Sequence, residues 1–153
     1  GRPGVLHVAA HMLFPQNEER GGMLALSMQA GNPVELLSET DVASMNATVG
    51  LVALNGCSSG RAAVLPGAGL MGMTRAWLAA GAHAVIATRW PTDDRDAGTI
   101  FASLYERYLQ TRRDGGPVSF GDLLRDAQLA ELHAGGRRAE PSRWASYFCT
   151  ERN

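Results

Sequence analysis

An α/β fold built on a parallel-rich sheet with flanking helices is the class this sequence predicts, on three observations. Short apolar runs alternate along the chain with segments of helical period, the pattern of parallel strands joined by crossover helices. Two of the runs, residues 5–10 and 51–54, end in residues of a different character: His11 after the first, and the small-residue turn Asn55-Gly56-Cys57-Ser58-Ser59-Gly60 after the second. The length of 153 residues suits one domain with one core, here taken as residues 1–153.

The elements follow in order. Residues 5–10 predict a buried strand closed by His11, with His7 four residues earlier on the same strand face. Residues 12–22 are polar, end in Gly21-Gly22 and predict a loop; residues 23–28 predict a short strand. Gly31-Asn32-Pro33 is a turn signal. Ser38 caps a short helix, with the acid Asp41 three residues on. Residues 51–54 form the second buried strand. Pro66-Gly67-Ala68-Gly69 belongs to a glycine-rich loop, and residues 70–80 to a helix closed by Gly81. Residues 84–88 are a third buried strand. Thr92 or Asp93 caps the next helix, whose positive end suits Asp93, Asp94 and Asp96. Ala97, Ile100, Phe101, Leu104, Tyr105 and Tyr108 make its single apolar face. Ser119 starts a helix over 119–132, residues 133–143 read as a loop and the one disordered tract, and 144–149 as a final strand.

Composition narrows the function classes. The formal net charge is −1, and arginine supplies all fourteen basic residues. That balance leaves no electrostatic footprint for nucleic acid. No run is long and apolar enough to span a membrane. Two cysteines, Cys57 and Cys149, make no disulfide framework and point to a reducing, cytoplasmic setting.

The chemistry centres on Cys57. A cysteine just past a strand end, among Gly56, Ser58, Ser59 and Gly60, can expose its thiol and aim backbone N–H groups at a reacting atom. Parallel strands deliver their ends to one edge of the sheet, where sites in open α/β sheets form. His11 and Cys57 at that edge suggest a Cys/His nucleophilic pair. Taken singly, Cys57 reads equally well as a core thiol, and His11 more readily as a structural histidine than as a base; the pairing favours chemistry. Gly56-Cys57-Ser58-Ser59-Gly60 also fits G-x-S-x-G with Ser58 as nucleophile, Asp94 or Asp96 as acid and His133 as base, in a chain short for that hydrolase fold. A metal site of His7, His11 and Cys57 lacks a fourth ligand, so neither metal nor organic cofactor is expected. Ala63 excludes a Cys-x5-Arg phosphatase loop.

The chain resembles CHAT domains, caspase-like peptidase modules often joined to TPR repeats. The resemblance rests on Leu6-His7-Val8-Ala9-Ala10-His11, on residues 51–60, on Gly69-Leu70-Met71-Gly72-Met73-Thr74-Arg75-Ala76-Trp77 and the residues up to Ala82, on Val85-Ile86-Ala87-Thr88-Arg89-Trp90-Pro91, and on Pro141 with Trp144-Ala145-Ser146-Tyr147. Cys57-Ser58-Ser59 and residues 90–96 also resemble separase. The interval of 46 residues between His11 and Cys57 is close to the roughly 50 of caspases. The resemblance implies a caspase-like three-layer sandwich and a cysteine endopeptidase with His11 and Cys57 as the catalytic pair. It implies an oxyanion hole from the backbone N–H groups of Cys57 and Met12, and a peptide added as a strand along Ala87-Thr88-Arg89-Trp90. His7 is not the base. Met12 stands where the family usually has glycine; it is expected to restrict the backbone and crowd the pocket, which leaves a peptide-binding pseudoprotease as an alternative.

Asn55, Thr88, Arg89, Trp90, Asp94 and Asp96 make up the expected substrate-binding set. Asp94 and Asp96, together with the resemblance to separase, imply cleavage after a basic residue; that resemblance makes Asp94 the favoured partner, and Arg89 keeps an acidic preference open. The implied partners are a protein or peptide substrate and a regulatory module such as TPR repeats, in a bacterial signalling or defence setting. CHAT domains normally carry further strands before the histidine strand. The chain is therefore expected to be the C-terminal catalytic portion of a longer or processed protein, its sheet edge awaiting the missing N-terminal segment.

Overall fold

A computed structural model describes residues 4–13, 22–27, 33–55, 66–90 and 92–152. In chain order the strands are β1 (Val5–Ala9), β2 (His11–Leu13), β3 (Met23–Ser27), β4 (Glu35–Ser38), β5 (Leu51–Asn55), β6 (Ala84–Thr88) and β7 (Tyr147–Glu151). The helices are α1 (Glu39–Ala43), α2 (Pro66–Ala79), α3 (Asp94–Arg113), α4 (Phe120–Ala134) and α5 (Pro141–Trp144), with a 3-10 turn over Gly136–Ala139.

The main sheet has the order β1-β5-β6-β7. β1, β5 and β6 run parallel, and β7 closes antiparallel on β6. β6 is buried throughout and β5 over its first four residues, which is why both read as continuous apolar runs. Alternate residues serve opposite faces. Leu51, Ala53, Ala84 and Ile86 pack against Ile100, Phe101 and Leu104 of α3 and Leu123, Leu124 and Ala127 of α4. Val52, Leu54, Val85 and Ala87 pack against Val42 of α1 and Met73, Ala76 and Trp77 of α2. The result is helix, sheet, helix: the three-layer sandwich and parallel-rich sheet that the sequence implied.

Local chemistry sets the helix ends. Ser38 and Asp41 form a reciprocal capping box on α1: the Asp41 N–H donates to Ser38 Oγ at 3.1 Å and the Ser38 N–H to Asp41 Oδ2 at 2.9 Å. Asp93, not Thr92, caps α3, its Oδ1 accepting from the Arg95 N–H at 2.8 Å. Gly81, at φ +114°, turns the chain out of α2 as expected. Ser119 caps α4, and Glu151 Oε1 takes the Gly121 N–H at 2.8 Å.

Four expectations are corrected. Residues 11–13 are a strand rather than the start of a loop, because the chain leaves the main sheet at Ala10 and pairs antiparallel with β3. β2, β3 and β4 form a second, three-stranded sheet, and β4 carried too short a pattern to be noticed. α2 begins at Pro66, inside the presumed glycine-rich loop; proline is well suited to a first helical position. Residues 133–143 are ordered by side chains: Arg138 pairs with Glu131, the Trp144 Nε1–H donates to the Ala139 carbonyl, and Gln128 Nε2 donates to the carbonyls of Trp144 and Tyr147. The final strand accordingly starts at Tyr147. Among the described residues no helix is long and apolar enough to cross a membrane.

Candidate active site

β1 and β5 are paired in parallel with Val5 opposite Leu51 and Ala9 opposite Asn55. One further bond, from the Ala10 N–H to the Asn55 carbonyl at 3.2 Å, closes the ladder. The two chains thus leave the sheet at one level. His11 follows on one, and Gly56-Cys57-Ser58 on the other. Residues 56–65, and with them Cys57 and Ser58, lie outside the described residues.

His11 is the first residue of β2 and pairs with Ala25 of β3. The alternation of β2 turns Met12 inward and leaves His11 and Leu13 exposed. His11 lines a cleft of about 430 Å³ with Ala9, Ala10, Ala25, Leu26, Asn55 and Asp94. Three residues expected at the site therefore share one cavity: His11 from the small sheet, Asn55 from the end of β5, and Asp94 from the first turn of α3. Asn55 Oδ1 is sealed from water and has no hydrogen-bond partner among the described residues. Ala25 and Leu26 were not foreseen, because the pairing that brings β3 beside His11 has no local signal.

His7 is not on His11's strand. Its Nδ1 is 2.7 Å from Tyr105 Oη of α3, and its ring lies 4.7 Å from that of Phe101. Desolvation where the side chains pack together holds the His7 pKa below 6.5 and pushes the Tyr105 hydroxyl up to about 12. His7 ties β1 to α3, and His11 faces the cleft.

Met12 does not crowd the cleft. Its side chain is 6% exposed and packs in the core with Leu24, Leu54 and Met73. The expectation of a crowded pocket is corrected, for a strand residue next to an outward histidine must point inward.

The anticipated peptide-binding strand is more enclosed than expected. β6 lies between β5 and β7, and Ala87 and Thr88 are paired with Phe148 and Tyr147. The Arg89 N–H donates to the Ser146 carbonyl at 2.9 Å. An added peptide therefore has no access on the β7 flank. The β5 flank differs: the β5–β6 ladder ends at Ala53 and Ile86. Polar groups alternate along an antiparallel strand, so those of Thr88 turn to the β5 side above that end. The Thr88 side chain is buried, the Arg89 guanidinium lies over the Phe148 ring, and Trp90 is exposed.

The two acids of α3 separate. Asp94 is exposed and lines the cleft. Asp96 is buried and ion-paired with Arg143, which enters from α5. Arg143 was not foreseen; the partners are 47 positions apart in the chain and no motif links them. Among the described residues no group of three histidines, cysteines or acids is placed to hold a metal ion. The site combines an exposed imidazole that can take and return a proton, a carboxylate that attracts a cation, and the polar side chain of Asn55.

The family model for the CHAT domain matches residues 1–151. No curated protein matches the chain.

Proposed function

The chain belongs to the CHAT domain family, which is associated with caspase-like cysteine peptidases, and from that premise we propose that it is a cysteine endopeptidase acting through Cys57 and His11. The Cys57 thiolate attacks the carbonyl carbon of the scissile peptide, forming a C–S bond. Backbone N–H groups of Cys57 and Met12 donate to the oxyanion, where loss of one donor typically costs about 10²–10³ in rate. His11 gives a proton to the leaving amine as the C–N bond breaks, then takes one from the water that hydrolyses the thioester. The observation that carries this reading is the β1–β5 register, which ends both strands at one level with His11 on the wall of a cleft.

The substrate is a protein or peptide cut after a basic residue. Asp94 favours this, as the acid of α3 that lines the cleft; Asp96 already serves Arg143. A bidentate arginine–carboxylate contact supplies both charge and geometry. The enzyme works in the cytoplasm under a partner module such as TPR repeats. Crowding of the cleft by Met12 does not support the pseudoprotease alternative, since that side chain lies in the core.

A thiol-reactive probe is expected to label Cys57 and not the half-buried Cys149, whose thiol pKa is raised to about 12 by burial and by Glu151. Cys57→Ala should abolish cleavage and Ser58→Ala should leave most of it. The reverse result would establish the serine hydrolase instead. In a peptide library, a P1 aspartate preference, or an arginine preference unchanged in Asp94→Ala, would remove the basic-pocket reading.

A further inference from the structure

A second pocket, of about 410 Å³, opens at the far end of α3, lined by His83, Tyr108, Arg112, Val118, Phe120 and the Gly115-Gly116 backbone. α3 is 20 residues long, about 30 Å at 1.5 Å per residue, and Asp94 at its other end lines the cleft. The two cavities are therefore distinct.

The pocket pairs an apolar floor with unspent positive charge. The apolar stripe of α3 ends in Tyr108, whose ring lies 5.6 Å from that of Phe120. One turn later, Arg112 lays its guanidinium over the Tyr108 ring, 5.7 Å from the centroid, and Nη1 donates to Tyr108 Oη at 3.1 Å. A planar guanidinium held this way is preorganised for a two-pronged contact. Among the described residues Arg112 has no ion-pair partner. Of the acids near this end of the chain's helices, Asp114 accepts from Gln110 Nε2 and Glu151 Oε1 from the Gly121 N–H. His83, also in the lining, is anchored by its backbone: its N–H donates to the Val49 carbonyl at 2.9 Å and its carbonyl accepts from the Arg152 N–H at 2.8 Å.

A helix C-terminus ordinarily repels an anion. Here the N–H groups of Asp114, Gly115 and Gly116 take up the carbonyls of Gln110, Arg112 and Thr111. Gly115, at φ +73°, makes that turn possible and, with Gly116, adds no side chain to obstruct the mouth.

We propose that this pocket binds a small carboxylate carrying an apolar body, the carboxylate on Arg112 and His83 and the body on Tyr108, Val118 and Phe120. Its volume lies within the range of small-molecule sites. The inference is independent of the proposed reaction, so the test uses the full chain with Cys57→Ala. In titration calorimetry, 4-phenylbutyrate should bind with one site per chain, and its amide about ten- to hundredfold more weakly, the factor expected for loss of a charge-assisted contact. Arg112→Gln should impose a similar loss, and Val118→Trp, which fills the pocket, should abolish binding in a chain that still melts cooperatively. Absence of binding at millimolar acid, equal binding of acid and amide, or full binding by either variant would overturn the proposal. Inorganic phosphate binding as tightly as the acid would overturn its apolar half.

Discussion

His7 and His11 stand four residues apart, yet they serve different sheets and face different neighbours. β1 holds His7 against Phe101 and Tyr105 of α3, where desolvation beside the two rings lowers its pKa. β2 holds His11 at the rim of a cleft beside Asn55 and Asp94. Between them is Ala10, whose N–H still bonds to β5 while the next residue pairs with β3. Four-residue spacing implies a shared face only if the strand continues. Here it ends, and the change of sheet turns the two imidazoles to different work.

The sharpest way to break the contrast is to remove each ring in turn. His11→Ala should lower kcat/KM by about 10²–10⁴, the usual loss for a general acid–base, with little change in melting temperature because the ring is exposed. His7→Ala should keep turnover within a few-fold and cost about 1 kcal/mol of stability as the Tyr105 hydroxyl loses its partner. Equal loss of turnover in two folded variants would erase the distinction.

Met12, next to His11, sharpens it further. Met12→Gly is expected to empty a core position and cost about 2–5 kcal/mol or somewhat more, the glycine adding backbone freedom to the cavity term. Urea unfolding measures this; an unchanged midpoint would mean that the side chain does not pack where it is placed.

The two acids of α3 make the same comparison at smaller cost. Asp96→Asn should destabilise by about 1–3 kcal/mol, since Arg143 loses its countercharge. Asp94→Asn should cost at most about 0.3–1 kcal/mol, the loss of one acid from the first turn of α3, and act chiefly on P1 selectivity, which a substrate panel reads. A destabilised Asp94→Asn with unchanged selectivity would exchange their roles.

The smallest effect concerns pH. An unfolded histidine takes a proton near 6.5, whereas folded His7 does so only at lower pH. Its contribution to stability is therefore complete above 6.5 and is lost as pH falls through 6.5 toward the folded value. The melting temperature of His7→Gln should decline less over that window. Parallel curves would show that His7 has the same proton affinity in both states.

The sequence carried far into this protein where the determinants were local. Apolar runs gave β1, β5 and β6, because strands buried on both faces have no polar alternation to conceal them. Caps gave the starts of α1, α3 and α4, because a side-chain oxygen two or three residues from an orphan N–H is a short-range device. The 3.6-residue spacing gave the buried face of α3, and the strand-end positions of His11 and Asn55 gave two residues of the cleft.

Other features were fixed only by tertiary structure. Whether residue 11 continues β1 or begins another sheet depends on β3, whose pairing is not written near Ala10. That Asp96 is held in an ion pair depends on Arg143, brought close only when α5 packs beside α3. The apolar floor beneath Arg112 arises where α3 and the start of α4 place Tyr108 against Phe120. Period and capping are properties of neighbours in sequence; pairing, countercharge and cavities are properties of neighbours in space, and they exist only once the layers have packed.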